Sequence, residues 1–268
     1  MPSLLSARQS YQWIQRVNQK FKELEALKLS PAQKMSMKAW LEIEFVAAAL
    51  AFEGLSVSRQ QIAEVVAANS ASANPVSSNQ SLKQTNASSI EESATQQAIT
   101  ETLAALRIVE DLGQRVGRSA TLDLSLLARL HQPTNDCRAT SANQFRQSSS
   151  TTSAIKAEHL PFILESACNW FAMASFAELN PVEQAAIAFL RLLEIVPFER
   201  DNQRTSLIAA SLFLLRSELP PIIIKPEQRE AYLAALQEGL HMNTQPMVNL
   251  LAENVEHTLT DIIKVASA

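Results

Sequence analysis

The chain has 268 residues, of which 47% are hydrophobic and 19% charged, a balance typical of a soluble globular protein with a sizeable core. Its net charge of −4 gives no electrostatic argument for a nucleic-acid or membrane partner. No stretch approaches the roughly 20 apolar residues of a membrane span, and the N-terminus lacks an apolar run of signal-peptide length. The two cysteines, Cys137 and Cys168, make no disulfide framework and indicate reduced thiols. We therefore expect a cytoplasmic protein.

Residues 1–68 are predicted to form an N-terminal helical region, because apolar residues recur there at spacings of three and four. Ser30 followed by Pro31 is typical of an N-cap and a first helical residue. Gly54 is a plausible C-cap of the same helix, and Ser58 with Gln61 forms a capping box for the next one. The predicted helices cover residues 6–28, 31–52 and 59–66.

Residues 69–90 are polar and rich in Ser and Asn, and we expect a flexible loop there, followed by a helical core over 91–268. With only 4 glycines in the chain, helices are favoured over sheets. Residues 132–157 are again polar, so an irregular segment is expected, with a short hairpin as an alternative. Residues 220–224 read as a short extended run. The helices of the core are predicted at 91–112, 121–131, 160–174, 182–195, 204–215, 226–239 and 245–265.

A charged loop separates the two most apolar predicted helices of the core. A helix N-terminus after a tight turn is a natural anion site, because its unpaired N–H groups and its dipole point outward. The loop (residues 196–204, the signature loop) resembles the Fic (fido) family motif, His-Pro-Phe-x-Asp/Glu-Gly-Asn-Gly-Arg-x-x-Arg. Pro197, Phe198, Asn202 and Arg204 match that pattern. The flanking segments resemble the family in the same order: Leu130-His131, Asn143-Gln144-Phe145-Arg146, Asn180-Pro181, Pro221-Ile222-Ile223-Ile224 and Arg229-Glu230-Ala231-Tyr232.

The resemblance implies an all-α, Fic-like helical core with a small irregular or β-hairpin flap, plus N-terminal helices. Fic enzymes typically transfer AMP from ATP to a hydroxyl group of a target protein, so it also implies ATP as the nucleotide and a protein target or partner peptide. Arg146 is placed at the flap that docks the target. The residues placed at the nucleotide or phosphate are Asn202, Arg204, Arg200, Asp201, Gln203 and Tyr232.

Several working parts of the family motif are replaced here. Val196 stands at the position of the catalytic histidine and has no group that accepts a proton. The four histidines lie far away in sequence, which leaves Glu199 as a weak candidate base. Arg200 stands at the acidic metal-ligand position and cannot bind Mg²⁺, so normal Mg²⁺ binding is not expected. Asp201 and Gln203 replace two glycines that give the family's loop its freedom to wrap phosphate.

An upstream segment, Ala49-Leu50-Ala51-Phe52-Glu53-Gly54, resembles the family's inhibitory helix motif, Ser/Thr-x-x-x-Glu-Gly/Asn. Glu53 and Gly54 match, whereas Ala49 does not. In the family this glutamate pairs with the last arginine of the signature, which is Leu207 here. The segment is therefore interpreted as a relic of an inhibitory helix.

Plainer interpretations remain open for single residues. Arg146 is also interpretable as a solvated loop arginine, His131 as an ordinary helix-end histidine, and Tyr232 as a core residue. For the whole chain, the first hypothesis is a catalytically impaired Fic-like protein that acts as a binding or regulatory module. The alternative is an active nucleotidyltransferase, or a related phospho-group transferase with altered chemistry, and a third is a purely structural helical protein. No helix has the basic face that DNA binding requires, and the oligomeric state is left open.

Overall fold

The computed structural model describes residues 4–71, 87–132, 145–148, 150, 153 and 155–267. Over these ranges the backbone is helical or irregular and contains no strand, so the all-α prediction is confirmed. Short 3₁₀ turns precede α5, α6 and α10. The helices are α1 (Leu4–Ala26), α2 (Pro31–Phe52), α3 (Arg59–Ala71), α4 (Ala87–Val116), α5 (Leu124–His131), α6 (Leu160–Phe171), α7 (Ala174–Ala177), α8 (Pro181–Ile195), α9 (Asn202–Leu215), α10 (Arg229–Leu240) and α11 (Gln245–Ser267).

Helix α2 begins and ends where its capping residues predict. The Ser30 hydroxyl accepts a hydrogen bond from the backbone N–H of Gln33, and the Gln33 side chain accepts one from the Ser30 N–H. At the other end Gly54 adopts a φ of +80°, which a residue without a Cβ enters at no steric cost. Its N–H and that of Leu55 bond back to the carbonyls of the last turn. This Schellman arrangement fixes the direction in which Glu53 leaves the helix.

Helices α8 and α9 form the centre of the core. The Asn180 side chain caps α8 by accepting a bond from the Val182 N–H. Every residue of α9 from Arg204 to Leu214 is buried, so this helix is enclosed by neighbouring elements on all of its faces. Helices α4, α5 and α2 pack against α9, and α6, α10 and α11 pack against α8. The signature loop is therefore held at both ends by the most buried helices.

The predicted boundaries are wrong at several places. Helix α3 runs to Ala71 and α4 begins at Ala87, so both ends of the predicted 69–90 loop are helical, and 72–86 lie outside the described residues. Helix α5 begins only at Leu124, because the Asp123 carboxylate caps it through the Leu126 N–H. Helix α6 ends at Phe171 and the short α7 follows as a separate turn. Helix α9 begins two residues earlier than predicted.

Most of the predicted irregular segment at 132–157 lies outside the described residues, including Cys137, and its described positions contain no strand. Cys168 is buried in α6, and burial raises the pKa of its thiol to about 12, which keeps it protonated and unreactive. None of the helices described here is both long and apolar enough to cross a membrane.

Candidate functional site

The backbone of the signature loop turns at two left-handed residues. Val196 ends α8 with φ 53° and ψ 68°, a conformation that strains a β-branched side chain. Asp201 has φ 58° and ψ 22° and precedes α9 as its N-cap residue, without a capping bond from its side chain. Asp tolerates this region better than most residues. Gln203 lies in the first turn of α9, so its position requires no positive φ in this conformation.

Asn202 closes the loop on itself. Its side-chain oxygen accepts a hydrogen bond from the Phe198 N–H at 2.8 Å, and its amide nitrogen donates to the Phe198 carbonyl at 2.7 Å. Both ends of the amide are thus engaged within the loop. The structure shows Asn202 holding the buried Phe198 in place rather than presenting its amide to a phosphate, which differs from the predicted role.

His131 joins the signature loop although it lies far away in sequence. Its ring stacks on Phe198 with 3.9 Å between centroids and an interplanar angle of 8°. Its Nδ1 lies 3.2 Å from the Thr205 hydroxyl. Burial lowers the pKa of His131 to about 4, with Asp201 opposing this shift and Arg204 adding to it. The ring is therefore neutral at pH 7. Only the Leu130-His131 resemblance hinted at this contact.

Arg146 is buried, so its interpretation as a solvated arginine is wrong. Its guanidinium donates to the carbonyls of Val196 (2.6 Å), Ser148 (2.8 Å) and Ile155 (2.6 Å). The backbone N–H of Arg146 donates to the Pro197 carbonyl at 2.9 Å. The side chain fastens the flap segment (the described residues of 145–156) to the end of α8. In this conformation the guanidinium is not accessible to a target protein, and Arg146 acts on the flap by holding its backbone.

Glu199 holds the same flap segment from the solvent side. Its carboxylate accepts hydrogen bonds from the N–H groups of Gln147 and Ser148 and from the Ser148 hydroxyl, at 2.9–3.2 Å. Mainly because of the bonds from Ser148, the pKa of Glu199 is lowered. A carboxylate stabilised in its charged form accepts a proton less readily, so the candidate base is weakened further.

Arg204 lies between two carboxylates at the N-terminus of α9. Its Nη1 is 3.3 Å from Glu53 Oε2 and its Nη2 is 3.1 Å from Asp201 Oδ2, and only 7% of the arginine side chain is exposed. The other oxygen of Glu53, Oε1, is buried without a hydrogen-bond partner. Burial raises the pKa of Glu53 most, Arg204 opposes that, and Asp201 adds to it. We call Glu53, Asp201 and Arg204 the loop charge cluster.

A small cavity lies beside this cluster. It has a volume of about 10 Å³ and lies between α2, α8 and α9, and Phe52, Gln203, Arg204 and Leu207 are among its lining residues. Such a volume holds at most about one water molecule. Tyr232 is buried nearby, with its ring edge-on to Phe52 at 5.0 Å and its hydroxyl unpartnered. Tyr232 is therefore a core residue in this conformation, and its contact with a nucleotide stays a prediction.

Comparison with known proteins gives one consistent result. The family model described as "Fic/DOC family" matches residues 121–214, which include the flap, α8, the signature loop and most of α9. The chain contains a Fic domain. Similar curated proteins are the Protein adenylyltransferase Fic of Drosophila virilis, with 34% identity over 91 residues, and Protein adenylyltransferase fic-1 of Caenorhabditis elegans, with 30% over 105. These matches cover 34% and 39% of this chain but only 19% and 21% of the relatives, so the chain spans about a fifth of their length.

Solved structures extend the similarity in fold beyond the Fic domain. A Fic domain containing signaling protein from Bacteroides thetaiotaomicron VPI-5482 covers 94% of this chain and 98% of its own, with a TM-score of 0.73 and 22% identity. Fic-1 from C. elegans (aa134–508) covers 97% of this chain and 73% of its own, with the same TM-score and 21% identity. The N-terminal helices thus belong to the shared fold as well.

The residues of this Fic domain do not fit a magnesium ion. Arg200 is exposed, with its Nε 3.7 Å from Asp201 Oδ2, and it adds positive charge where the family has an acidic ligand. The Asp201 carboxylate is already engaged by Arg204. In the part of the chain that the structure describes, no group of three or more His, Cys, Asp or Glu side chains is arranged to hold a metal ion.

The fold brings most of the predicted site residues together. Glu53 reaches the signature loop from α2, Arg146 and Glu199 connect the loop to the flap, and Asn202 and Arg204 stabilise it internally. The pairing of Glu53 differs from the expectation, because its partner is Arg204 whereas Leu207 lines the small cavity. Tyr232 is buried in this conformation, and His131 is the residue that the sequence did not predict for the site.

Proposed function

We propose that this Fic domain acts as a binding or regulatory module and does not transfer AMP efficiently. The observation that carries the proposal is the loop charge cluster. At the N-terminus of α9, where the resemblance places phosphate, Arg204 already has two carboxylate partners from the chain itself. An incoming phosphate would have to displace Glu53 and would meet the charge of Asp201, and like charges repel.

The groups around the loop also lack a suitable base. The Val196 side chain has no group that accepts a proton, and the flap stabilises Glu199 as an anion. His131 has a pKa of about 4, and its ring is stacked on Phe198. General-base catalysis commonly contributes about 10²–10⁴-fold to a rate. Transfer to a hydroxyl group should therefore be slow even if a nucleotide enters.

The alternative function is transfer of AMP from ATP to a protein hydroxyl. It is favoured by the relatives, which are named as protein adenylyltransferases, and by the two cations Arg200 and Arg204 beside the anion position. In that case ATP is the substrate and a protein is the target, as the resemblance implies. Under this alternative Glu53 would act as a displaceable group rather than a permanent partner of Arg204.

Nucleotide binding separates these two functions. ATP is titrated calorimetrically, with and without Mg²⁺, into the native chain, into Glu53→Gln and into Arg204→Met. Arg16→Met is the control for the loss of an arginine elsewhere, because Arg16 is exposed on α1 and pairs with Glu256. The proposal predicts no binding to the native chain at millimolar ATP. Submillimolar binding that Arg204→Met abolishes and Arg16→Met retains would support the alternative.

Labelling with radioactive ATP tests the chemistry itself. The native chain is expected to label neither itself nor added protein. The restored variant Val196→His, Arg200→Asp, Asp201→Gly, Gln203→Gly, Leu207→Arg is expected to label itself once Glu53→Gly is added, because Glu53 would otherwise pair with the restored arginine. ATP-dependent labelling by the native chain at a rate near that of the restored variant would contradict the proposal. The same restored variant with Val196 retained serves as its control, because it lacks only the base.

A further inference from the structure

Helix α6 carries large apolar side chains on the face that points away from the core. Phe162 is 76% exposed, Trp170 is 38% exposed, and Met173, just after the end of the helix, is 53% exposed. The helix packs against α5 and α8 through its opposite face, whose buried residues are Leu160, Leu164, Ala167, Cys168 and Phe171. Aromatic side chains that cluster on one exposed face indicate a surface that another molecule covers.

The exposed residues of α6 lie in a single row. Phe162, Ser166, Asn169 and Met173 follow one another at spacings of four, three and four, which places them on one side of a helix. Trp170 lies beside this row, next to Asn169. We call these five residues the α6 stripe. With a rise of about 1.5 Å per residue, the stripe is about 16 Å long.

The order of residues in the α6 stripe is similar from both ends. Phe162 and Met173, which are large and apolar, lie at equal distances from its midpoint, and so do the smaller polar residues Ser166 and Asn169. If two copies of α6 pack antiparallel about a twofold axis through this midpoint, Phe162 of each copy faces Met173 of the other. Ser166 then faces Asn169. A twofold interface requires this kind of self-complementary surface.

The side chains of the stripe also suit a close helix pair. Ser166 is small, which lets two helices approach, and its hydroxyl can donate to the side-chain carbonyl of Asn169 in the second copy. The Trp170 ring is already held in place, with its centroid 5.1 Å from that of Phe176 and 5.7 Å from that of Phe171. An aromatic ring that is fixed before association loses little conformational entropy when it is covered.

We propose that the α6 stripe is the interface through which two copies of this chain associate, with their α6 helices antiparallel. None of its five residues is charged, so the stripe offers no ion pair to an acidic or a basic peptide, whereas its symmetric order fits a second copy. The stripe contains no residue of the loop charge cluster. Association through α6 is therefore independent of whether the Fic domain transfers AMP.

The size of the stripe sets the expected strength of association. Taking about 200 Å² for a large side chain, Phe162, Trp170 and Met173 together expose roughly 300 Å² in each copy. An interface built on two such patches lies at the small end of specific interfaces. We therefore expect a weak dimer that forms as the protein concentration rises.

Sedimentation equilibrium of the full chain, in a reducing buffer and from about 5 µM to about 500 µM, measures this association. The average mass should rise from that of a monomer towards that of a dimer. Phe162→Glu and Met173→Lys should each weaken the association by about tenfold or more, because each buries a charge against an apolar side chain. Met35→Glu is the control, since Met35 is 72% exposed on α2 and should leave the association unchanged.

Mixing the two variants tests the antiparallel arrangement itself. In a pair of one Phe162→Glu chain and one Met173→Lys chain, the introduced carboxylate faces the introduced ammonium group, and the other end keeps its native contact. The mixture should therefore associate more tightly than either variant alone, by about tenfold. Sedimentation velocity with a fluorophore on one of the two chains measures this mixed association.

Circular dichroism and thermal unfolding should show native folds for these variants, because all three substituted side chains are exposed. A native chain that stays monomeric over the whole concentration range overturns the proposal. So does self-association that Phe162→Glu and Met173→Lys both retain, since another surface must then be responsible. A mixture that associates no better than the single variants rejects the antiparallel pairing of α6.

Discussion

The two halves of the signature loop are stabilised by different interactions. In the first half, the backbone carbonyls of Val196 and Pro197 accept hydrogen bonds from Arg146. The exposed carboxylate of Glu199 accepts hydrogen bonds from N–H and hydroxyl groups of the flap. In the second half, Arg204 is buried between Glu53 and Asp201. The first half thus depends on hydrogen bonds with the flap, some from the buried Arg146 and some to the exposed Glu199, and the second on the ion pairs of the buried Arg204.

This difference shows two ways in which the loop is held within the chain. Polar side chains in the loop and next to it have partners from three separate regions: α2, α5 and the flap. A buried charge that loses its partner is expensive, whereas an exposed carboxylate is resolvated cheaply. The second half should therefore be far more sensitive to substitution than the first.

The largest expected effect is that of Arg204→Met. The substitution leaves the carboxylates of Glu53 and Asp201 close together and one of them buried, which should cost about 3–5 kcal/mol in the free energy of unfolding. Arg200→Met is the control, because Arg200 is exposed and should change stability by less than about 0.5 kcal/mol. Chemical denaturation measures both, and equal effects for the two variants would contradict the contrast drawn here.

Acid should destabilise the protein through His131, which contacts both halves. Its pKa is about 4 in the folded chain and near 6.5 when unfolded, so the unfolded state binds the proton first as the pH falls. The contribution of neutral His131 to the free energy of unfolding is fully present above pH 6.5, and it declines by about 3 kcal/mol as the pH falls to 4. The free energy of unfolding, measured across this range, should depend less on pH for His131→Phe than for the native chain, and this variant keeps the stacking on Phe198. The control variant His241→Gln should show the same pH dependence as the native chain. An unchanged pH dependence in His131→Phe would refute the assignment.

Arg146→Met should have a smaller effect on stability but a specific one on the flap. It removes the donors of three short hydrogen bonds to carbonyls, at a cost of about 1–3 kcal/mol. Limited proteolysis should cut within residues 145–156 faster than in the native chain. Glu199→Gln should accelerate the same cleavage more weakly, since its carboxylate is exposed. Cleavage elsewhere in Arg146→Met, with this segment intact, would show that the arginine does not hold the flap.

The smallest effect is a gain. Val196 adopts a left-handed conformation that suits asparagine better than a β-branched residue, so Val196→Asn should stabilise the protein by about 1 kcal/mol. Val196→Thr keeps the branched Cβ and should show no such gain. Thermal unfolding of the two variants checks this, and a loss of stability in both would mean that packing of the valine outweighs its backbone strain.

Much of the fold was predictable because its signals are local. Ser30, Asn180 and Gly54 cap or end helices through bonds within a few residues, and residues 182–195, which are apolar on most faces, indicated a central helix. The resemblance to the Fic family was likewise readable from short motifs in a fixed order, and the match over residues 121–214 confirms it. The helix boundaries that were predicted less accurately, such as the start of α5 at Leu124, depend on which of several nearby residues caps the helix.

The amino-acid sequence by itself determined an all-α chain, the position of the signature loop and the chemical groups that this loop lacks. Only the tertiary structure decided that Glu53 pairs with Arg204, that His131 stacks on Phe198 and that Tyr232 is buried. The physical reason is distance along the chain. These contacts join helices far apart in sequence, and packing of α2, α5 and α10 against α8 and α9 sets which side chains meet and which lose access to solvent.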